Sequence, residues 1–348
     1  MSFFNSIMIL STILLFSFYG NSIFGTRNRH IINFQSPDFF PVSFARDPTA
    51  KRFIVSSSRR PSLISVSDSG IVTTLVSDRS LPAGSFFPNV MVDPIRQRII
   101  ATVHSRSNPS NSALATYQLH SPHRRLFLAS LHEPDASVSA PGAAGVAIDF
   151  FGSAVITNSA SNFIWNVGLE GRHSIFSSCE VYTDHHKPHG PCGLNGIVYN
   201  SKGHFLVIQS NTGKLFKVDD ENGVAKEIEL NINLTEIRAI DIKNDGVVLL
   251  MSKYKLYFLN SEDGWNKAKV FDEVRLDAKR SPISVTVGGE VVYVLYGHVE
   301  EGMIGNSHRN HFSIVGIGPK AQRDFTWIVY MLIGYGSVYF LKWSSNAQ

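Results

Sequence analysis

Four sequence motifs that mark common enzyme classes are missing from this chain. It contains no G-x-S-x-G elbow, no phosphate-binding Gly-Lys-Ser/Thr loop, no H-E-x-x-H and no Cys-x-x-Cys pair. Each of these motifs places a nucleophile, an anion cradle or metal ligands at a fixed spacing. Their absence removes sequence support for a serine hydrolase of that type, a nucleotide-dependent enzyme or a zinc protease.

Charge is also scarce. Charged side chains make up 17% of the 348 residues, against 43% hydrophobic ones, and the formal net charge is +4. Lys and Arg never occur in a run longer than two, whereas nucleic-acid-binding surfaces cluster their basic residues. We therefore predict no nucleic-acid partner, and apolar material sufficient for one large domain or two ordinary ones.

Cysteine is limited to Cys179 and Cys192, on either side of a loop rich in proline and histidine. In an oxidising compartment this pair predicts a disulfide, which would contribute roughly 3 kcal/mol by closing the loop; two unpaired thiols are the alternative. The loop itself holds potential ligands for zinc or copper, although a surface loop rich in Pro and Gly rarely fixes tetrahedral geometry. These side chains are Asp184, His185, His186 and His189.

The N-terminus begins with an apolar run. Residues 7–19, IMILSTILLFSFY, have the length of a signal-peptide core, and the small residues Gly20, Ser22 and Gly25 follow. This pattern predicts a cleaved secretory signal at 1–25. An uncleaved anchor or a buried strand is the alternative, because Lys and Arg are missing ahead of the run.

A second apolar run lies near the C-terminus. Residues 325–341 contain no charge over 17 positions, which reaches the lower limit for crossing a bilayer, and aromatic residues lie near both ends. We predict a single transmembrane helix at 325–343 and a short tail at 344–348. The bulk of the chain would then lie on the lumenal or extracellular side of a secretory-pathway membrane, where Asn233 of an Asn-Leu-Thr sequon could carry a glycan.

The interior is a series of short apolar runs separated by Gly, Asp, Asn and Ser, which is typical of an all-β protein. The segments GVAIDFFGSAVITNSASNFIWNVGLEG and GIVYNSKGHFLVIQSNTGKLFKVDDENG align almost without gaps. Looser copies bring the number of units to six. The turns that follow the first apolar strand of each unit are 46, 56, 51, 43 and 44 residues apart. Six such units predict a six-bladed β-propeller over 31–319, with residues 31–34 adding an edge strand to the last blade.

In a propeller the innermost strand of each blade lines a central channel, and the residues at its start surround one mouth. We therefore expect a ligand site among the residues ahead of the six first strands. They are Pro41-Val42, Pro88-Asn89, Ala143-Ala144, Leu194-Asn195, Ile237-Arg238 and Pro282.

The segments FARDPTAKRFIVSS, ITNSASNFIWNVGLEG, GLNGIVYNSKGHFLVIQSNTGKLFKVD and IKNDGVV carry a family resemblance. From about residue 33 to 318 the chain resembles the gluconolactonase, regucalcin (senescence marker protein) and luciferin-regenerating-enzyme-like propellers, most closely their plant secretory-pathway branch. The resemblance implies a channel metal, usually calcium, held by a Glu, two Asn and an Asp. The metal would polarise a lactone or ester carbonyl and activate water.

Most of these ligand positions have changed in this sequence. Val42 stands at the glutamate position, Ala144 at the first asparagine position and Arg238 at the aspartate position, so only Asn195 remains. Hydrocarbon and a permanent cation cannot replace the oxygen ligands of calcium. The resemblance thus implies a degenerate metal site with no cofactor, unless a shifted alignment gives the aspartate role to Asp241.

Two functions remain open. The first is a membrane-tethered binding or scaffold module whose channel takes a small anion, a peptide or a protein near Arg238 and Asn195. The second is a lactone or ester hydrolase with a shifted or divergent channel site. The Asn195-Gly196 pair itself has two interpretations, because Asn-Gly favours turns and an asparagine at the head of a strand can also ligate a metal.

Overall fold

The structure is a computed structural model of the 348-residue chain. It describes residues 27–107, 112–131, 142–183, 193–234, 236–303, 308–320 and 336. The chain divides into two compact units. Residues 30–317 form one; residues 1–29 and 318–348 form the other, in which the Arg27 guanidinium donates a hydrogen bond to the Gly318 carbonyl at 3.1 Å.

The described strands, β1 to β26 in chain order, form six antiparallel sheets that follow one another along the chain. Blade one contains β2 (Pro41–Asp47), β3 (Arg52–Ser57), β4 (Ser62–Ser67) and β5 (Val72–Ser77). Blade two contains β6 (Ser85–Phe86), β7 (Val90–Asp93), β8 (Arg98–Ser105), β9 (Ser112–Gln118) and β10 (Arg125–Leu131). Blade three contains β11 (Ala143–Ile148), β12 (Ala154–Asn158), β13 (Phe163–Val167) and β14 (His173–Ser178).

The remaining three blades follow the same plan. Blade four contains β15 (Leu194–Asn200), β16 (His204–Gln209), β17 (Lys214–Asp219) and β18 (Ala225–Glu227). Blade five contains β19 (Glu229–Leu230), β20 (Ala239–Ile242), β21 (Val248–Met251), β22 (Lys255–Asn260) and β23 (Lys267–Arg275). Blade six contains β24 (Pro282–Gly288), β25 (Val291–Tyr296), β26 (His311–Lys320) and β1 (Arg27–Gln35). Two 3-10 turns, Glu180–Tyr182 and Ala278–Arg280, and one short helix, α1 (Val299–Met303), lie in connections.

The predicted six-bladed β-propeller is confirmed, and so is its closure. Strand β1 pairs with β26, so the N-terminal strand forms the outer edge of the blade that the end of the chain builds. Two details depart from a four-stranded meander. Strands β6 and β7 both pair with β8, and β19 adds to β23 in parallel.

The core explains why six sheets close into a ring. The buried side chains form six clusters, and each cluster joins two neighbouring blades. Phe44 and Phe53 of blade one, for example, pack with Leu295 and Phe312 of blade six. A sheet with two apolar faces must cover both of them, and a ring of blades does so without leaving a free face.

The propeller has two faces, defined by the direction of the innermost strands. We call the face where these strands begin the mouth face, and the face where they turn back into the second strands the hairpin face. At the hairpin face Asp93 accepts a hydrogen bond from Arg98 at 3.0 Å, and Arg98 also donates to the Gly152 carbonyl of the next blade. Asp47 and Arg52 repeat this pair 46 residues earlier, also at 3.0 Å.

The predicted segments at the two ends lie outside the described residues, apart from Gly336. These are the signal peptide at 1–25, the transmembrane helix at 325–343 and the tail at 344–348. Within the described part of the chain, no helix has the length and apolar character needed to cross a membrane. The signal peptide and the transmembrane helix therefore stay predictions.

Candidate functional site

The innermost strands of all six blades surround a cavity of about 410 Å³ in the central channel. Val42, Ala144, Asn195 and Arg238, the four positions taken from the family resemblance, all line this one cavity. The equivalent positions of blades two and six, Asn89 and Ile283, line it too, Ile283 directly following the expected Pro282. The residues ahead of the first strands thus come together.

Small irregularities in the first strands direct these residues into the channel. The pairing between the first and second strands shifts register at the start of β2, β11, β15 and β24. A bulge adds unpaired residues to one strand and re-aims its side chains. The shifts fall around Val42, Ala144, Asn195 and Ile283, which explains why these side chains line the cavity.

The Asn195-Gly196 pair lies inside strand β15 and forms no turn. The glycine is needed for packing, because a Cβ there would lie 2.6 Å from Cγ2 of Ile240 in the next blade. Gly145 makes the same close approach one blade earlier, where a Cβ would overlap the Asn195 carbonyl oxygen. Both glycines let neighbouring first strands meet around the channel.

Hydroxyl groups on the second strands, or just after them, join each blade to the mouth of the next. Thr102 donates to the Ala144 carbonyl at 3.4 Å, and Thr157 donates to the Asn195 carbonyl. Ser210 donates to the Ile237 carbonyl at 2.6 Å. These bonds fix the spacing between blades two to five and occupy mouth carbonyls that would otherwise be free for a ligand.

The side chain of Asn195 is partly used by this arrangement. Its Nδ2 donates to the Ser210 hydroxyl at 3.0 Å, which supports the structural role expected from the sequence. Among the described residues no donor contacts its Oδ1. One amide oxygen beside the channel is therefore available as an acceptor for a ligand.

Among the described residues, Arg238 is the only arginine or lysine that lines the cavity. Its backbone N–H donates to the Met251 carbonyl at 2.7 Å, but no described acidic side chain pairs with its guanidinium. Arg238 interacts electrostatically with the Lys253–Glu300 ion pair, in which the atoms are 2.7 Å apart. The pKa of Glu300 is lowered chiefly by its hydrogen bond from Lys253 and to a lesser degree by Arg238.

Asp241 also lines the cavity, but its carboxylate is committed to the fold. It accepts hydrogen bonds from the backbone N–H of Ile242 at 2.8 Å and of Val287, in blade six, at 2.9 Å. Burial raises its pKa to about 6 despite these donors and a third from the Thr286 hydroxyl. Asp241 joins blades five and six, so it does not restore the aspartate ligand of the family pattern.

His104 is a channel residue that the positions ahead of the first strands did not predict. It lies on β8, a second strand, yet it lines the cavity. One ring nitrogen bonds to the backbone of Ala143, while Nε2 is buried without a partner in the described chain. Burial lowers the pKa of the imidazole, so the ring is neutral near pH 7. Because the other ring nitrogen donates its N–H to the Ala143 carbonyl, Nε2 can accept one hydrogen bond inside the channel.

The donors at the mouth do not suit a hard dication. Calcium takes six to eight oxygen ligands, several of them carboxylates, whereas Val42 and Ala144 offer hydrocarbon and Arg238 a permanent positive charge. Among the residues that the structure describes, no three His, Cys, Asp or Glu side chains are grouped closely enough to hold a metal ion. The chemistry of this mouth favours an anion over a cation.

The predicted disulfide does not form in the structure. Cys179 is a free thiol whose Sγ lies 3.8 Å from the Gly223 carbonyl and 3.9 Å from the Ser177 hydroxyl. This is a polar contact with the turn of the next blade. Its predicted partner Cys192 lies outside the described residues, as do Asp184, His185, His186 and His189, so a metal site there stays a prediction. Asn233 is exposed, and its glycosylation is untested.

Comparison with known proteins identifies the fold and no family. No protein-family model matches the sequence, and no match was found among curated protein sequences. Solved structures do match. The major Malassezia sympodialis allergen Mala s 1 is 14% identical with a TM-score of 0.69, and the match covers 84% of this chain and 97% of the allergen.

Two enzymes of the same architecture also match. A catalytically inactive histidine-to-alanine variant of virginiamycin B lyase from Staphylococcus aureus, solved with quinupristin, is 10% identical (TM-score 0.57; 84% of this chain, 100% of the lyase). The PQQ-bound aldose sugar dehydrogenase of Streptomyces coelicolor is 11% identical (TM-score 0.57; 84% and 100%). These likenesses show a six-bladed propeller alone. Membership of the gluconolactonase and regucalcin family, and of its plant branch, stays a prediction.

Proposed function

We propose that this propeller is a binding module whose channel takes a small organic anion with an apolar body. The observation that carries the proposal is an arginine, Arg238, that lines a cavity of about 410 Å³ without an acidic partner in the described chain. That volume falls within the range of about 300 to 1,000 Å³ that small-molecule pockets occupy.

The lining matches such a ligand in three respects. The guanidinium of Arg238 can donate two parallel hydrogen bonds to a carboxylate, a sulfonate or a phosphate. Asn195 Oδ1 can accept one hydrogen bond and thereby orient the ligand. Val42, Ala144 and Ile283 offer hydrocarbon to the rest of the molecule. We also propose that the metal site is degenerate and that no cofactor is needed. The positive charge that binds the anion would come from the side chain of Arg238 instead of from a metal ion.

The setting of the module is part of the proposal. The signal-peptide pattern at 1–25 and the uncharged run at 325–341 support a chain tethered by one C-terminal helix. The propeller would then face the lumen of the secretory pathway or the cell exterior. A peptide or protein with an acidic group could present the same anion to Arg238, and no nucleic acid is expected.

A second candidate is a hydrolase of the lactone or ester type with a divergent channel site. The observation that favours it is His104, a neutral imidazole in the channel with an unpartnered nitrogen. A general base needs such a group within reach of the proton that it removes. A related architecture loses catalysis when a histidine is replaced, as in the virginiamycin B lyase variant. In this chain Asp241, the carboxylate in the channel, is committed to the fold.

A pair of matched probes tests the binding proposal. We expect 1-naphthoate to bind the full-length protein in nanodiscs, measured by saturation-transfer NMR, and its neutral amide to bind at least about tenfold more weakly. Arg238→Gln should remove this preference, whereas Arg79→Gln, an exposed arginine outside the cavity, should keep it. Equal binding of both probes would contradict the proposal. Turnover of aryl esters or lactones that is lost in His104→Gln would support the hydrolase instead.

A further inference from the structure

The hairpin face carries most of the large apolar side chains that the described loops expose. Thirteen such side chains are exposed in the described part of the chain. Five belong to outer strands, two to loops of the mouth face, and six to turns of the hairpin face. The six are Ile71, Ile95, Phe150, Phe151, Leu169 and Val224.

Three of them form the centre of this surface, which we call the aromatic patch: Ile95, Phe150 and Phe151. They are 83%, 76% and 75% exposed. The rings of Phe150 and Phe151 lie edge to face with centroids 5.5 Å apart. Soluble surfaces rarely gather large apolar side chains at the tips of adjacent turns, and such a patch usually marks a contact with a protein or a membrane.

The two turns of the aromatic patch are fastened to each other. The Arg96 guanidinium, beside Ile95, donates to the carbonyl of Phe151 at 2.7 Å and lies 3.5 Å from that of Phe150. Asp93, at 3.6 Å, holds the same guanidinium from the other side. These bonds occupy the backbone carbonyls of the Phe150-Phe151 turn, so the two rings are the large groups that this turn exposes to solvent. Such a surface suits an apolar phase better than water.

The hairpin face is the face from which the chain leaves the propeller toward the predicted transmembrane helix. Strand β26 runs from the mouth face to the hairpin face, and its residue Ile317 pairs with Val292, beside the β24–β25 turn of that face. Seven residues separate Ile317 from Phe325, where the uncharged run begins. The eight Cα–Cα steps from Ile317 to Phe325, at about 3.5 Å each, reach at most about 28 Å. A span that starts at Phe325 therefore keeps the hairpin face, where β26 ends, within that distance of the bilayer.

We infer that the aromatic patch docks on the bilayer surface, so that the channel mouth faces away from the membrane toward the lumen or the exterior. The choice of a lipid surface rests on the proposed tether at 325–343. Aromatic rings at the level of the headgroups would then hold the propeller in one orientation. A second copy of this chain or a protein partner on the same patch is the competing outcome of the test.

The test uses the full chain in phosphatidylcholine vesicles that contain doxyl-labelled lipid. The native cysteines are replaced by Cys179→Ser and Cys192→Ser, and an NBD fluorophore is attached through Phe151→Cys, Ile95→Cys or Tyr254→Cys. Tyr254 is a matched control because it is 59% exposed on the mouth face. We expect quenching at positions 151 and 95 at least about threefold stronger than at 254. Phe150→Ser should reduce the quenching at position 95.

Carbonate extraction of the same vesicles separates this inference from the tether. A chain that resists carbonate and shows equally weak quenching at all three positions has the tether but no docking, which overturns the inference. A chain that is extracted and unquenched contradicts both. A chain that is extracted yet quenched at 151 and 95 docks without a tether, which supports the inference alone. Circular dichroism melting of each variant checks that the propeller is folded.

Discussion

The two ends of the channel are held together by different chemistry. Near the mouth, neutral hydroxyls such as those of Thr157 and Ser210 donate to carbonyls of the next blade. Near the hairpin face, charged side chains make the hydrogen bonds between blades. Arg98, paired with Asp93, donates to the Gly152 carbonyl of blade three, and the Asp241 carboxylate accepts a hydrogen bond from the Val287 N–H of blade six. Every one of these charged groups has partners inside the protein.

Arg238 differs from these charged groups in having no such partner within the described part of the chain. A charge in a partly buried site is costly when it is unpaired, because it loses water without gaining a counter-ion. The fold therefore explains Arg98 and Asp241 and does not explain Arg238. Among the described residues, Arg98 and Asp241 thus serve the propeller, whereas Arg238 is free to bind a ligand. Four substitutions test this difference.

The largest effect is expected for Arg98→Leu. It leaves Asp93 charged and buried, with exposed side-chain fractions of 6% for Arg98 and 3% for Asp93 in the native pair. Removing one partner of such a pair costs about 3–5 kcal/mol of unfolding free energy. We expect a loss at the lower end of this range, measured by urea denaturation, because Arg96 still contacts Asp93 at 3.6 Å. Arg172→Leu breaks an exposed pair, with fractions of 88% and 77%, and should change stability little. Similar losses in both variants would contradict the difference between buried and exposed pairs.

Asp241→Asn tests the charged link between blades five and six through pH. Burial raises the pKa of Asp241 from 3.8 to about 6, so the folded state holds this proton more tightly than the unfolded state. The contribution of this protonated carboxyl group to the free energy of unfolding is complete below about pH 4, and it is lost as the pH rises through about 6. The wild type should therefore lose up to about 3 kcal/mol relative to Asp241→Asn across this window.

A second carboxylate provides a control of opposite sign. The hydrogen bond from Arg46 lowers the pKa of the exposed Asp68, so its contribution is lost as the pH falls. The wild type should therefore gain stability relative to Asp68→Asn as the pH rises, by a small amount because the group is exposed. A pH-independent difference for Asp241→Asn would show that its carboxylate is not buried in the way the structure describes.

The propeller could be predicted because a ring of similar blades requires a repeating pattern of strands and turns in the sequence. Each blade must bury both faces against its neighbours, which repeats the apolar strands and the turns at intervals of 43 to 56 residues. The positions ahead of the first strands follow from this period, so Val42, Ala144, Asn195 and Arg238 could be located in advance. Closure by β1 was also predictable, since a ring built from one chain joins its two ends.

Other parts of the site could not be predicted from the period alone. His104 is on a second strand and reaches the channel two residues beyond the hydroxyl of Thr102; Ser159 stands at the same place after Thr157 and also lines the cavity. Aligning the second strands in register would have found both. The choice between a disulfide and free thiols at Cys179 could not be made from the sequence, because proximity in sequence does not fix the direction of the Sγ atom.

Gly145→Ala tests the neutral end of the channel. A Cβ at this position would overlap the Asn195 carbonyl oxygen, which is backbone and cannot move aside as a flexible side chain can. We expect a loss of about 1–3 kcal/mol in unfolding free energy, as for other overpacked sites. At Gly168 the nearest atom to a Cβ is 3.8 Å away, so Gly168→Ala should be nearly neutral. Equal effects would mean that the first strands of blades three and four are not in close contact.

Arg238→Gln should have the smallest effect on stability of the four. The guanidinium makes no described hydrogen bond or ion pair, so its removal breaks no polar contact of the described chain. Removing Arg238 also relieves its repulsion with Lys253. Arg238 slightly lowers the pKa of Lys253, whereas the hydrogen bond from Lys253 to Glu300 raises that pKa by more. We expect a change within about 0.5 kcal/mol, in either direction, together with the lost preference for 1-naphthoate. A loss above about 1 kcal/mol would place Arg238 with Arg98 among the charges that hold the propeller together, and the channel would then lack a free cation for an anionic ligand.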